Sequence, residues 1–92
     1  MEPNSNLSSN PSIALTVERD RWALHDLAAR FQLSDREQEA VEHLAEGLTS
    51  KEIAQRMRIS PNTVKTFLRL VMIKMGVTTR SGVIGKIVEA RR

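Results

Sequence analysis

The stretch Thr49-Ser50-Lys51-Glu52-Ile53-Ala54-Gln55-Arg56-Met57-Arg58-Ile59-Ser60-Pro61-Asn62-Thr63-Val64-Lys65-Thr66-Phe67-Leu68-Arg69 holds two helix signals set back to back. Thr49 followed by Glu52 is a capping box, in which each side chain satisfies a backbone N–H left free at a helix start. Ile53, Ala54 and Met57 give that short helix one apolar side. Ser60 then offers a second N-cap, with Pro61 at the first helical position, where its missing N–H costs nothing. Only about three residues separate the two helices, and so tight a turn throws the second across the first. That geometry lets one helix project into a DNA groove.

The same signals continue on either side. Ser34 with Glu37 is a second capping box, followed by Val41, Leu44, Ala45 and Leu48 at helical spacing, and Gly47 is suited to a left-handed stop. Beyond Pro61 the apolar stripe is Val64, Phe67, Leu68, Val71, Met72 and Met75, with Gly76 as the stop. A last helix starts near Thr78 or Thr79 and carries Val83, Ile84, Ile87 and Val88. Toward the N-terminus, Thr16 is a candidate cap for a helix with Leu24, Leu27, Ala28 and Phe31 on one face and Trp22 off it. Residues 1–15 read as a flexible segment rich in Ser, Asn and Pro, 16–33 as an N-terminal helix, and 34–92 as a four-helix unit. No strand pattern is present, so the predicted class is all-α.

Composition narrows the function classes. Ninety-two residues with 40% hydrophobic and only 3% aromatic content suit one small helical domain with an aliphatic core. The absence of cysteine excludes disulfides and thiolate metal sites. The first ten residues lack the pattern of a signal peptide, and the run Leu70-Val71-Met72-Ile73 is too short to span a bilayer. The expected location is therefore the cytoplasm, with no membrane partner. The net charge of +3 conceals an asymmetry. From Ser34 to Glu46 there are five acidic residues and one basic, whereas from Lys51 onward ten basic residues face two acidic, 10 − 2 = +8. Such concentration is the footprint expected for a polyanion partner.

An enzyme is not expected. His25 and His43 fall on different helices with no paired nucleophile. Glu39, Glu42 and Glu46 have helical spacing, but a solvated acidic face accounts for them better than a metal site. No cofactor or metal is implied.

On helix 61–75, with Val64 at zero and about 100° per residue, the core stripe lies within about 80° of zero. Asn62, Lys65, Thr66, Arg69 and Ile73 then fall between about 100° and 200°, facing outward. Arg and Lys donate to guanine, Asn pairs with adenine, and Thr offers a hydroxyl and a methyl. Asn62, Lys65, Thr66 and Arg69 are thus the candidate base-contacting residues. The free N–H groups from Ser60 to Thr63 favour a phosphate, and Lys51 can grip the backbone from the preceding helix.

The runs Leu33-Ser34-x-Arg36-Glu37-x-Glu39-x-Val41, Leu44-Ala45-x-Gly47-Leu48-x-x-Lys51-Glu52-Ile53-Ala54, Ile59-Ser60-x-x-Thr63-Val64-Lys65 and Lys74-Met75-Gly76-Val77-x-x-Arg80 occur in this order. In them the chain resembles the LuxR-type (GerE-like) helix-turn-helix domain of bacterial transcriptional regulators. The resemblance implies a four-helix DNA-binding domain, preceded here by one additional helix, whose third helix (61–75) reads the major groove of double-stranded DNA. It implies that Lys65, Thr66 and Arg69 face base edges and that Lys51, Ser60 and Thr63 lie near phosphates. It also implies a homodimer joined through the last helix, so Val83, Ile84, Ile87 and Val88 are candidate dimer contacts. The related sigma-factor region four shares the middle two helices, but the Lys74-Met75-Gly76-Val77 ending and a fourth helix argue against it.

Three departures stand out. Phe67 occupies a position where the family usually has His. Leu70 and Ile73 replace residues that are usually polar and point away from the core, which suggests a partner protein or cover from the N-terminal helix. Gly82 and Gly85 sit where the family favours Ala, each at a cost of about 1 kcal/mol in a helix. The alternative function is a protein-interaction module that sequesters a related regulator by heterodimerisation, using Phe67, Leu70, Ile73 and the 83–88 stripe. The family usually joins this domain to a receiver or ligand-binding domain, so the input signal is expected from a partner, from sequence outside this chain, or not at all.

Overall fold

The computed structural model describes residues 11–91 of the chain. Five helices follow one another: α1 (Pro11–Arg30), α2 (Asp35–Ala45), α3 (Ser50–Met57), α4 (Pro61–Met75) and α5 (Arg80–Ala90), with no strand among the described residues. The all-α class with one helix ahead of a four-helix unit is as expected.

Each helix from α2 onward starts on the residue whose chemistry predicts it. Ser34 and Thr49 both complete reciprocal capping boxes with Glu37 and Glu52. Ser60 accepts from the Thr63 N–H with Pro61 behind it, and Thr79 accepts from the Gly82 N–H. Gly47 and Gly76 adopt φ of 88° and 71°, the left-handed region a side chain disfavours.

α4 is the central helix, packed against α2, α3 and α5, while α1 lies across α5 and α2. Leu27, Val41, Ile53, Val64, Leu68, Val71 and Val83 are fully buried where these helices meet. Burying each such side chain contributes about 1.5–3 kcal/mol, so the orientation of α4 is fixed by its apolar stripe. Phe67 and Met72 pack on the edge of this core.

Four expectations need correction. α1 begins at Pro11, so Thr16 lies inside the helix, and residues 11–15 belong to it. Proline suits the first helical position, and no Gly or Pro interrupts the chain from Ser12 to Arg30. Residues 1–10, the rest of the segment read as flexible, lie outside the described residues. The helix also ends earlier than expected, at Arg30; Gln32 takes a left-handed φ of 56° and the Leu33 N–H returns to the Ala28 carbonyl at 2.9 Å. Ala45, placed on the α2 stripe, is exposed, whereas Ala23 on α1 is buried. Finally, α1 does not cover Leu70 and Ile73, because its apolar face is spent on α5 and α2.

Candidate nucleic-acid interface

The turn between α3 and α4 is built on one unusual backbone conformation. Arg58 has φ 58° and ψ 46°, and this left-handed residue returns its N–H to the Ala54 carbonyl. Ile59 also donates to Ala54, at 3.0 Å, and tucks its side chain against the core. From α2, Arg36 donates to the Met57 carbonyl at 3.2 Å, satisfying a group left open at the end of α3. The turn is thus closed from inside and braced from behind.

At the start of α4, the Ser60 and Thr63 hydroxyls lie 2.9 Å apart. Either can donate to the other, so the pair spends one proton internally and keeps one for an outside acceptor. No acidic side chain occupies the first turn of α4, leaving the positive end of the helix dipole uncompensated. A phosphate oxygen suits both features.

Asn62, Lys65, Thr66 and Arg69 are all exposed on the outer face of α4, and Thr63 is half-buried. Lys51 and Arg58 are exposed beside them. Among the described residues, the side chains of Lys51, Arg58, Lys65 and Arg69 have no ion pair or hydrogen bond. Thr66 donates its hydroxyl to the Asn62 carbonyl at 3.1 Å.

Glu37 and Glu39 of α2, and Glu46 at its C-cap, pair with groups other than the cations of this face. Glu39 pairs with Arg36 at 2.9 Å, and Glu46 meets His43 at 3.2 Å. Glu37 is buried and accepts from Lys74 Nζ at 2.7 Å, while the same ammonium donates to the Gln32 carbonyl at 3.0 Å. Burial disfavours the Glu37 carboxylate, but the hydrogen bond from Lys74, the Ser34 N–H and the Lys74 charge outweigh it. Its carboxyl is therefore held below the usual glutamate range. The Thr49 N–H and hydroxyl likewise hold the exposed Glu52 below that range. These contacts fix the starts of α2 and α3 and tie the C-terminal half of α4 to α2.

The candidate partner residues divide. Val83 and Ile87 are buried in the core, packed inward where α5 meets α1 and α4, so they are not open to a second chain. Val88 is exposed and Ile84 half-buried. Leu70 and Ile73 are 40% and 67% exposed, directed outward beyond the polar residues of α4. Trp22 on α1 is exposed as well. His25 is exposed, and no group of three potential metal-ligating side chains exists among the described residues.

Sequence reasoning did not identify Arg36, Lys74 and Arg80 as braces. Arg80 donates to the Ser50 hydroxyl, joining the starts of α5 and α3. Arg58, in the turn between α3 and α4, adds a further unpaired cation.

Comparison with known proteins bears on this face. The GerE family, described as bacterial regulatory proteins of the luxR family, matches residues 31–86, more than half of the chain. The chain is 40% identical over 48 residues to the transcriptional regulatory protein DesR of Bacillus subtilis, covering 52% of this chain and 24% of DesR. It is 32% identical over 75 residues to the DNA-binding transcriptional activator DevR/DosR of Mycobacterium tuberculosis, covering 82% of this chain and 35% of that protein. A putative transcriptional regulator of Pseudomonas aeruginosa is 40% identical over 52 residues, covering 56% of this chain and 25% of its own. The chain therefore spans about a quarter to a third of the length of these relatives. No solved structure matches it significantly.

Proposed function

The chain belongs to the luxR family of bacterial regulatory proteins, a family of DNA-binding regulators and not of enzymes, and from that premise we propose that it regulates transcription by reading double-stranded DNA with α4. In this reading α4 lies in the major groove, with Asn62, Lys65, Thr66 and Arg69 on base edges. Lys51, Ser60 and Thr63 hold the phosphate backbone and set the register. The observation that carries it is the exposed face of α4, where unpaired cations stand beside an amide and a hydroxyl.

Two copies bind together, meeting through the outer side of α5 at Ile84 and Val88. Such a pair requires an inverted repeat with half-sites about one helical turn apart. Selection from a random DNA pool tests both points. The expected result is an inverted repeat whose binding weakens steeply with salt as counterions are released. A single asymmetric site refutes the dimer, and no retained sequence refutes the DNA reading.

A second reading is favoured by the exposure of Leu70 and Ile73. Here the chain sequesters a related regulator as a heterodimer. A gel shift with random DNA at low salt separates the two, because sequestration predicts no retardation and a larger species on a sizing column when the regulator is added.

A further inference from the structure

We infer that Thr66 is a specificity-determining residue that selects an A·T pair at one position of each half-site, by its methyl and an acceptor-only oxygen. The inference rests on the major-groove reading of α4 and assigns the base pair that one of its residues recognises.

A threonine hydroxyl ordinarily both donates and accepts, so it suits many base edges. Here its single proton is committed. Thr66 Oγ1 lies 3.1 Å from the Asn62 carbonyl oxygen, which has no proton to give, so Thr66 must be the donor. What remains for a ligand is an oxygen that only accepts. The same bond fixes the side-chain rotamer, and the residue is exposed, so the methyl is presented on a rigid stem. One turn further on the same side is Leu70, also exposed and without any polar atom. The local surface is thus one acceptor bordered by aliphatic carbon.

In the major groove an acceptor can be met only by the amino group of adenine or of cytosine. The thymine methyl distinguishes these two cases, because the A·T pair alone offers an amino donor and a methyl together. Guanine, which offers only acceptors at N7 and O6, opposes the Thr66 oxygen. An oxygen free to rotate its proton outward would not make this distinction.

Parallel selections with the wild-type chain and with Thr66→Ser identify the position concerned, since serine keeps the hydroxyl and loses the methyl. The expected outcome is that the two selections diverge at one position per half-site, where only the wild type enriches A·T strongly. Replacing that thymine by deoxyuridine, which lacks the methyl, should weaken wild-type binding about fourfold, the scale of one buried methyl group. Thr66→Ser should be indifferent to the same replacement. Thr66→Val keeps a methyl and lacks the acceptor, so it should retain the deoxyuridine effect but be insensitive to replacing the adenine by purine, which lacks the amino donor and should weaken wild-type binding. Identical selections, or equal deoxyuridine effects in wild type and Thr66→Ser, overturn the inference while leaving DNA reading by α4 intact. A wild-type chain that enriches no sequence overturns that reading, and the inference with it. Circular dichroism confirms that each variant is folded.

Discussion

Two glycines in α5 should respond to the same substitution with opposite signs. A Cβ built on Gly82 would lie 2.7 Å from Val77 Cβ and 3.2 and 3.3 Å from its two methyl carbons. Val77 Cβ is bonded directly to backbone, and the turn from Gly76 to Thr79 holds that backbone, so the side chain cannot swing away. Gly82→Ala should therefore cost about 1–3 kcal/mol through overpacking, offset by at most about 1 kcal/mol of helix propensity. Gly85 has nothing within 4 Å of its added Cβ, so Gly85→Ala should stabilise by about 0.5–1 kcal/mol. In a domain of this size each kcal/mol moves the Tm by about 4–8 °C. Urea unfolding followed at the helical circular-dichroism band measures both, and equal m-values would show that the unfolded states match. The reasoning fails if Gly82→Ala proves as stable as Gly85→Ala. Gly85 also stands between Ile84 and Val88, so a stabilised Gly85→Ala chain with weakened pairing on an inverted repeat is expected if α5 forms the dimer.

Two further outcomes concern Arg58 in the turn and Glu37 at the start of α2. Arg58 holds a left-handed conformation that costs an ordinary residue about 1–2 kcal/mol, so Arg58→Gly should raise stability by up to about 1 kcal/mol and Arg58→Val should lower it, as chemical denaturation will show. Glu37 has a lowered carboxyl pKa in the folded chain, so its stabilisation is complete above the ordinary glutamate value and is lost as pH falls through the lowered one. Glu37→Gln should accordingly be less stable at neutral pH and show a flatter stability profile than wild type in the acid range, measured by denaturation at a series of pH values.

What was legible in the sequence is what is local. Ser34, Thr49 and Ser60 announce their helices because a cap and its partner lie three residues apart, and Gly47 and Gly76 announce the stops. The outward position of Asn62, Lys65, Thr66 and Arg69 follows from helical periodicity alone. The exact reach of α1 was not legible, because Thr16 and Pro11 are both acceptable starts. Nor was the division of the α5 stripe: Val83, Ile84, Ile87 and Val88 share one broad face, and only the placement of α1 and α4 decides which of them is covered. Contacts such as Lys74 to Glu37, 37 residues apart, or Arg36 to Met57, leave no local signal. The committed proton of Thr66 is local, four residues back to Asn62, yet a hydroxyl that bonds its own helix has the same sequence signature as one that does not.

The most direct measurement compares Arg69→Ala with Lys51→Ala on a selected site and on random DNA at one salt concentration. If α4 reads base edges, Arg69→Ala should cost about 1–3 kcal/mol on the selected site and much less on random DNA, whereas Lys51→Ala should weaken both alike. An Arg69→Ala chain, folded by circular dichroism, that still distinguishes the selected site as well as wild type does would contradict the assignment of α4 as the reading helix.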